Sequence, residues 1–452
     1  MGLVKNQDIE LKIETISSEG SGVGHYDGQV VFVYNTAPGD FIKAHIIKVK
    51  KAYAIATIKE IIVPSKDRIE VDCPYFRSCG GCAYRHISYD AERAIKKQNV
   101  CDALKRIGNI DAVVDDVRFV ATERYRNKTQ IPVGRTNTGI VCGFYASHTH
   151  RIIPMSDCLL QPKEFSNIVD EIKQWMEDYE VRAYDGEDGL LRHVFLREAF
   201  ATGEIMVCLV ATSDNLPHIE ELISRIKVMN GVVGIVININ KEKTNVILGC
   251  ETKTMWGKDT IDDILCGIKI SISPSSFYQV NHDTAELLYE CVRECCNLTG
   301  SETLVDLYCG TGTIGLYLAK YCKKIIGVEI VKEAIENARQ NALTNGIENS
   351  EFYCGDAHEL VKRLKRDSLK ADVVIIDPPR KGCSKEIVDD IVEISPAKVV
   401  YVSCNVSTQS RDCKALEEKG YIVQKVTPID MFPRTVHVET VVLMTRTDAR
   451  KG

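Results

Sequence analysis

The chain has no run of about 18 or more apolar residues, which excludes an ordinary membrane-spanning helix and leads to the expectation that the protein has no membrane partner. It also lacks a positively charged leader followed by a short apolar stretch, so a cytoplasmic, reducing setting is expected. No internal repeat or low-complexity tract is present, which argues against solenoids and disordered arrays. An excess of positive charge is missing too. With 57 Lys and Arg against 63 Asp and Glu the net charge is -6, so a nucleic-acid surface would have to be a local basic patch inside an acidic total.

Cysteine, by contrast, is plentiful, at 18 residues. In a reducing compartment clustered thiols point to metal or catalysis, whereas scattered ones such as Cys101, Cys208, Cys250 and Cys322 read as small core residues. A chain of 452 residues with 44% hydrophobic content can bury two or three separate cores, and a multidomain protein is expected.

Residues 1–60 alternate short β-rich runs with glycine turns, which predicts five strands and a small OB-like β-barrel. Lys48, Lys50 and Lys51 share one turn, suited either to a phosphate backbone or to plain solvation. Gly20-Ser21-Gly22-Val23-Gly24, followed by an apolar strand and Pro38-Gly39-Asp40, resembles the TRAM domain, a barrel appended to RNA-modifying enzymes. That resemblance implies RNA binding.

Residues 61–268 read as an α+β central domain. It opens with Cys73, Cys79 and Cys82 around Gly80-Gly81, a spacing that favours metal binding over core packing. Zinc usually takes two close pairs of ligands, while a triplet with one distant partner suits an iron-sulfur cluster at least as well. Cys158 is the leading fourth ligand and Cys142, in an apparent strand, the alternative. Residues 88–108 predict an amphipathic helix with Ser88 as N-cap and a glycine stop, placed to pack on the domain that follows. Arg124-Tyr125-Arg126-Asn127-Lys128 reads either as a solvated turn or as a seat for a splayed RNA base. Arg192 and His193 read as polar positions on a half-exposed strand, and a helix is expected around 216–228.

Residues 269–452 read as an α/β Rossmann-like domain. The strand Thr303-Leu304-Val305-Asp306-Leu307-Tyr308 runs into Cys309-Gly310-Thr311-Gly312, and Glu329 ends the next strand, where a carboxylate can accept from ribose hydroxyls. Gly310, Gly312 and Gly315 satisfy the dinucleotide fingerprint, but a dehydrogenase leaves two further strand ends unexplained: Asp377-Pro378-Pro379 and Ser403-Cys404-Asn405. With Asp356 after the third strand, where the adenine amine is expected, this arrangement resembles a class I methyltransferase using S-adenosylmethionine.

Cys404 and Glu439 narrow the chemistry. Uracil C5 is a poor nucleophile until a thiolate adds to C6 and makes C5 enolate-like; a base must then remove the C5 proton. Cys404 can be that thiolate and Glu439 that base, with Asp377 to orient the base or assist addition. A nearby positive charge, dipole or carboxylate is needed to activate the thiol. His437, two residues from Glu439 on an alternating strand, is expected to face the same side as a supporting partner.

Ser403-Cys404-Asn405, Asp377-Pro378-Pro379-Arg380-Lys381-Gly382, Phe277-Tyr278-Gln279-Val280-Asn281 and Phe432-Pro433-Arg434-Thr435-Val436-His437-Val438-Glu439 together resemble the RNA uracil-C5 methyltransferase family. With the barrel and the cysteine set, the resemblance is to the iron-sulfur branch acting on 23S ribosomal RNA. It implies Cys404 as nucleophile, Glu439 as proton acceptor, Gln279, Tyr308, Glu329 and Asp377 around S-adenosylmethionine, and a 4Fe-4S cluster on Cys73, Cys79, Cys82 and Cys158. Val406 and Arg434 depart from the family pattern, where Pro and His are frequent. A monomer acting on a single-stranded or loop uridine is expected. The alternatives are a transfer-RNA uracil-C5 methyltransferase, held to lack barrel and cluster, and an inactive RNA chaperone.

Overall fold

The computed structural model describes residues 2–147, 149–366 and 369–447. Asp8–Lys12 and Phe41–Val49 alternate outward and inward residues, the two-residue period of a half-buried strand. They belong to a six-stranded sheet whose inner face buries Ile9, Leu11, Val31, Val33, Ile42 and Ile46. The additional strand beyond the five expected is Thr15–Ile16, paired with Gly22–Tyr26 and too short to carry a period. The last strand, Tyr53–Val63, continues past the expected limit at 60.

Ser88 accepts a hydrogen bond from the Ala91 amide at 3.3 Å and starts the helix Tyr89–Ala103. Its continuation, Leu104–Gly108, is a π-helical turn closed by Asn109 at φ 54°. The helix expected over 88–108 is therefore regular only in its first part. Val100 and Leu104 are buried with Val305, Leu307 and Ile326 of the C-terminal sheet, so this helix is packed onto the domain that follows.

The central sheet has seven strands, in the order Glu251–Gly257, Val232–Ile239, Glu204–Ala211, Leu191–Ala199, Lys128–Thr136, Gly139–Tyr145, Ile152–Pro154. Helices Lys163–Asp178 and Ile219–Ile226 cover one face through Phe165, Ile172, Trp175 and Leu222. The other face sends Phe195, Met206 and Cys208 into a core shared with Leu288, Val292, Ile375 and Val400. Central and C-terminal parts are thus joined by continuous apolar packing. The hairpin Ile261–Leu265 and Ile268–Ile272 lies across the expected boundary at 268/269.

The C-terminal sheet also has seven strands, in the order Ser350–Cys354, Lys324–Glu329, Thr303–Leu307, Val373–Ile376, Lys398–Ser403, Glu439–Arg446, Tyr421–Ile429. The first five are parallel and the last two form an antiparallel hairpin at the edge. Strand order reverses between Thr303–Leu307 and Val373–Ile376, and open α/β sheets bind ligands outside the carboxyl ends at such a point.

Candidate active site

Lys398–Ser403 is a β-branched strand buried along nearly its whole length, parallel to Val373–Ile376 and antiparallel to Glu439–Arg446. Ser403 pairs with Thr440. The ladder ends at that pair: Cys404 follows Ser403 in the turn beyond its strand and Glu439, the first residue of the neighbouring strand, precedes Thr440, so the two flank the same end of the ladder. Asn405 then caps the helix Val406–Glu417, its Oδ1 accepting from the Ser407 and Thr408 amides at 3.1 and 3.4 Å. The thiol consequently sits at a helix N-terminus, where the dipole favours thiolate. Asn405 Nδ2 also donates to the Arg380 carbonyl at 2.9 Å, tying this turn to the Asp-Pro-Pro-Arg loop.

Burial, and after it the charge of Glu439, push the Cys404 thiol up, while the Arg380 guanidinium pulls it back down through its charge and a hydrogen bond. Arg380 had no assigned role in the sequence, although the need for a positive charge beside the thiol was a signal that could have found it. Its Nη2 lies 3.3 Å from His437 Nε2. His437 precedes the strand, which begins at Glu439, so the alternation expected to align the two side chains does not extend to it. Its ring instead meets Phe432 edge-on at 5.9 Å.

Acids gather at the same sheet edge. Burial, then the charges of Asp377 and Glu329, push Asp306 to about 8. Burial alone pushes Asp377 to about 7, and burial with Asp377 pushes Glu439 to about 8 against the pull of Arg380. Glu329 accepts from the Gly310 amide at 3.3 Å and the Val331 amide at 3.0 Å. Asp306, Asp377 and Glu439, three carboxyls raised by burial, the first and last also by the charge of Asp377, would ionise more readily beside a cation. Tyr308 holds φ 63°, in the left-handed region that a tyrosine rarely enters, so the chain turns sharply as the central strand ends.

Gly310, at φ 53°, has open space where a side chain would be, as backbone approached by a ligand requires. Gly312 differs: a Cβ there would come within 2.8 Å of the Phe352 ring, so its smallness serves packing against the strand Ser350–Cys354. Gln279 lies in the loop before helix His282–Cys296, its carbonyl accepting from Asn127 Nδ2 at 2.8 Å. Asp356 accepts from the Glu359 amide at 2.9 Å and borders a separate hollow of about 630 Å³ with Tyr353 and Arg339. The structure thus brings Cys404, Glu439 and Asp377 together, with Asp306 nearby, while Asp356 follows Gly355, whose amide donates to the Glu329 carbonyl at 3.0 Å at the neighbouring strand ends.

Cys404, Arg380 and His437 open onto a groove of about 880 Å³. Its far walls are Thr15–Glu19 and Phe32 of the N-terminal sheet and Gln98, Asp102 and Arg106 of the connecting helix. The barrel therefore flanks the thiol. Both readings of Arg124–Lys128, solvated turn and seat for a base, are corrected: Tyr125 is only 2% exposed, Asn127 is buried, and Arg124 is paired with Asp157 at 2.6 Å, so the Tyr125 ring neither faces solvent nor is free to stack.

Cys73, Cys79, Cys82 and Cys158 line one cavity of about 270 Å³, together with Arg85 and Arg126. Cys142 is packed instead into the apolar core under the Lys163–Asp178 helix. Burial pushes the Cys82 thiol to about 12, and Cys158 and Cys79 add to the rise. Among the described residues no three His, Cys, Asp or Glu side chains are grouped so as to hold a single metal ion, so the metal expectation finds no support as a compact site. No helix among the described residues is long and apolar enough to cross a membrane.

Five parallel strands with a reversed edge hairpin, a glycine turn after the first strand and a carboxylate ending the second define a class I methyltransferase fold. A family model described as tRNA (Uracil-5-)-methyltransferase matches residues 251–447, and the TRAM domain model matches residues 4–59. A protein of Halalkalibacterium halodurans named an uncharacterized RNA methyltransferase is 44% identical over 445 residues, 97% of each chain. One of the same description from Clostridium tetani is 43% identical over 445 residues, 98% of this chain and 97% of that one. The crystal structure of Pyrococcus abyssi tRNA (uracil-54, C5)-methyltransferase in complex with S-adenosyl-L-homocysteine matches with a TM-score of 0.79 at 28% identity, covering 96% of this chain and 99% of that one. The chain belongs to the tRNA (uracil-5-)-methyltransferase family of RNA methyltransferases and carries an N-terminal TRAM domain.

Proposed function

We propose that the protein methylates C5 of a uridine in RNA, with Cys404 as nucleophile and Glu439 as proton acceptor. The observation that carries this reading is that Cys404 and Glu439 flank the Ser403–Thr440 pair that ends the strand ladder, with the Glu439 charge acting on the Cys404 thiol. The Cys404 thiolate bonds to C6, and the C5–C6 π electrons move toward O4. Asp377, held near neutrality at about 7, can give a hydrogen bond to the oxygen that gains charge. S-adenosylmethionine, when bound, supplies the electrophilic methyl group for C5, leaving as S-adenosylhomocysteine. Glu439 then takes the C5 proton, the C5=C6 bond reforms and the Cys404–C6 bond breaks, returning the thiolate.

Tyr308, Gly310, Glu329 and Asp377 would hold the methyl donor, with Gln279 and Asp356 at its margins. The buried carboxyls favour its sulfonium charge, and the Pyrococcus relative in complex with S-adenosyl-L-homocysteine supports a methyl donor of this kind. What supports a 4Fe-4S cluster is the four thiols around one cavity, with Arg85 and Arg126 lining the same space to offset thiolate charge. Cys73, Cys79, Cys82 and Cys158 would ligate it, and the cluster would brace the surrounding loops.

The substrate proposed is 23S ribosomal RNA, on the cysteine set. Transfer RNA is the second reading, favoured by the Pyrococcus enzyme, which acts on tRNA and matches this chain through the barrel. Barrel and central domain alone therefore do not separate the two. The test is tritium release from RNA labelled at uridine C5, with 23S and transfer-RNA transcripts in parallel. Release that depends on S-adenosylmethionine is expected from 23S RNA. Release from transfer RNA alone would replace the substrate, and release from neither would overturn the reaction.

A further inference from the structure

We infer that Glu92, Lys96 and Asp430 form a buried positioning triad that keeps Glu439 in place beside Cys404. The inference rests on the reaction proposed above. Glu439 is the first residue of its strand and faces Ile429, the last residue of the preceding one. The outermost pair of a hairpin opens readily unless the connection beyond it is tied down. Residues 430–438 make that connection, and the triad grips its first half.

Lys96 Nζ donates to Glu92 Oε1 at 2.7 Å, to Asp430 Oδ1 at 2.8 Å and to the Phe432 carbonyl at 3.2 Å. Glu92 Oε1 accepts in turn from the Arg434 amide at 2.7 Å. Two further groups complete the hold: the Tyr125 hydroxyl donates to the Pro433 carbonyl at 2.9 Å, and the Ala83 amide to the Arg434 carbonyl at 2.7 Å. Arg434 stands at φ 70°, a backbone state costly for a residue with a Cβ, so the loop's shape is imposed by its partners.

All three charged side chains are 0% exposed. Buried ion pairs are weak contributors to net stability compared with apolar residues of the same shape, but they fix direction, and here each points at loop backbone. Ala83 follows the Cys73–Cys82 segment directly, so the same loop is also tied to the cysteine cavity.

Thiol addition and methyl transfer do not use Glu439; only removal of the C5 proton does. Loosening the loop should therefore stall the enzyme after methyl transfer, with RNA still bound through Cys404. The test uses the full-length protein, S-adenosylmethionine and RNA with ordinary uridine, read on a denaturing gel. In Lys96→Met the steady-state fraction of covalent enzyme–RNA adduct should rise roughly tenfold while tritium release falls, a part of the 10²- to 10⁴-fold that a placed base supplies. Tyr125→Phe removes one neutral hydrogen bond to the same loop, strands no charge, and should give the same signature if Lys96→Met folds poorly. Lys97→Met, whose partner Asp116 is exposed, should change neither readout.

Loss of adduct and turnover in equal proportion in both loop variants, or no change in either, would overturn the positioning role. RNA carrying 5-fluorouridine separates this from failure of the reaction itself. Wild type and both loop variants should trap it, and a wild type that traps nothing would overturn the proposed reaction instead.

Discussion

Cys404, in the turn just beyond Ser403, and Glu439, just before Thr440, flank the Ser403–Thr440 pair that ends the ladder at the carboxyl edge of the C-terminal sheet, and the Glu439 charge acts on the Cys404 thiol. A nucleophile and a base that flank one ring must be set at a fixed separation, and here the ladder end holds Glu439 while the capped turn from strand to helix holds Cys404. The loop that follows Asp377-Pro378-Pro379 adds Arg380 beside the thiol.

Glu439→Gln keeps the shape of the side chain and removes its ability to take a proton. Tritium release should fall by about 10²- to 10⁴-fold, with a methylated adduct accumulating on ordinary uridine RNA. Mass spectrometry of that adduct should find the methyl group already on C5.

The pH profile follows from the raised Glu439, at about 8. As a base it works only when ionised, so the rate of tritium release at saturating substrates should climb with pH through about that value and level off above it. In Asp377→Asn, where the repulsion from Asp377 is gone, the same inflection should move to lower pH.

Stability should run the other way. Asp306 is raised from 3.8 to about 8, so the folded state binds its proton more tightly than the unfolded chain does. That contribution is full below about 4 and is lost as pH rises through 8. Asp306→Asn keeps an acceptor for the Gly315 amide, now at 3.2 Å. It should raise the melting temperature at pH 9 and not at pH 3, and weaken S-adenosylmethionine binding, read by calorimetry.

Arg380→Ala should raise the pH at which Cys404 becomes reactive. An opposite charge at hydrogen-bond range shifts a group by about one unit or more. The rate of alkylation of Cys404 against pH, followed by peptide mass, measures the shift.

Cys158→Ser should abolish a brown colour and its sulfur-to-iron charge-transfer band in anaerobically purified protein. Cys142→Ser, a change in the apolar core, should lower the melting temperature and keep the colour. A colourless wild-type protein containing zinc would replace the cluster.

Much of the C-terminal site was legible because its chemistry sits at strand ends. Lys398–Ser403 is a β-branched run that stops at a thiol, and Glu329 closes another such run. What escaped depends on contacts between distant segments. The place of Arg380 is set by the bond from Asn405, twenty-five residues on. Gly312 looks like a ligand-binding glycine until Phe352 is seen against it. Thr15–Glu19 carries no motif, and only the packing of the barrel makes it a wall of the groove before Cys404. Tyr125 has the composition of a base-stacking residue, and its burial beneath the Pro433 carbonyl excludes that use.

The most direct measurement is covalent trapping on RNA carrying 5-fluorouridine in the presence of S-adenosylmethionine, because fluorine at C5 cannot leave as a proton. Wild type and Cys413→Ala, the latter altered at a fully buried thiol in the next helix, should form an adduct that survives denaturation, and Cys404→Ala should form none. An adduct in Cys404→Ala, or none in wild type, would contradict Cys404 as the nucleophile.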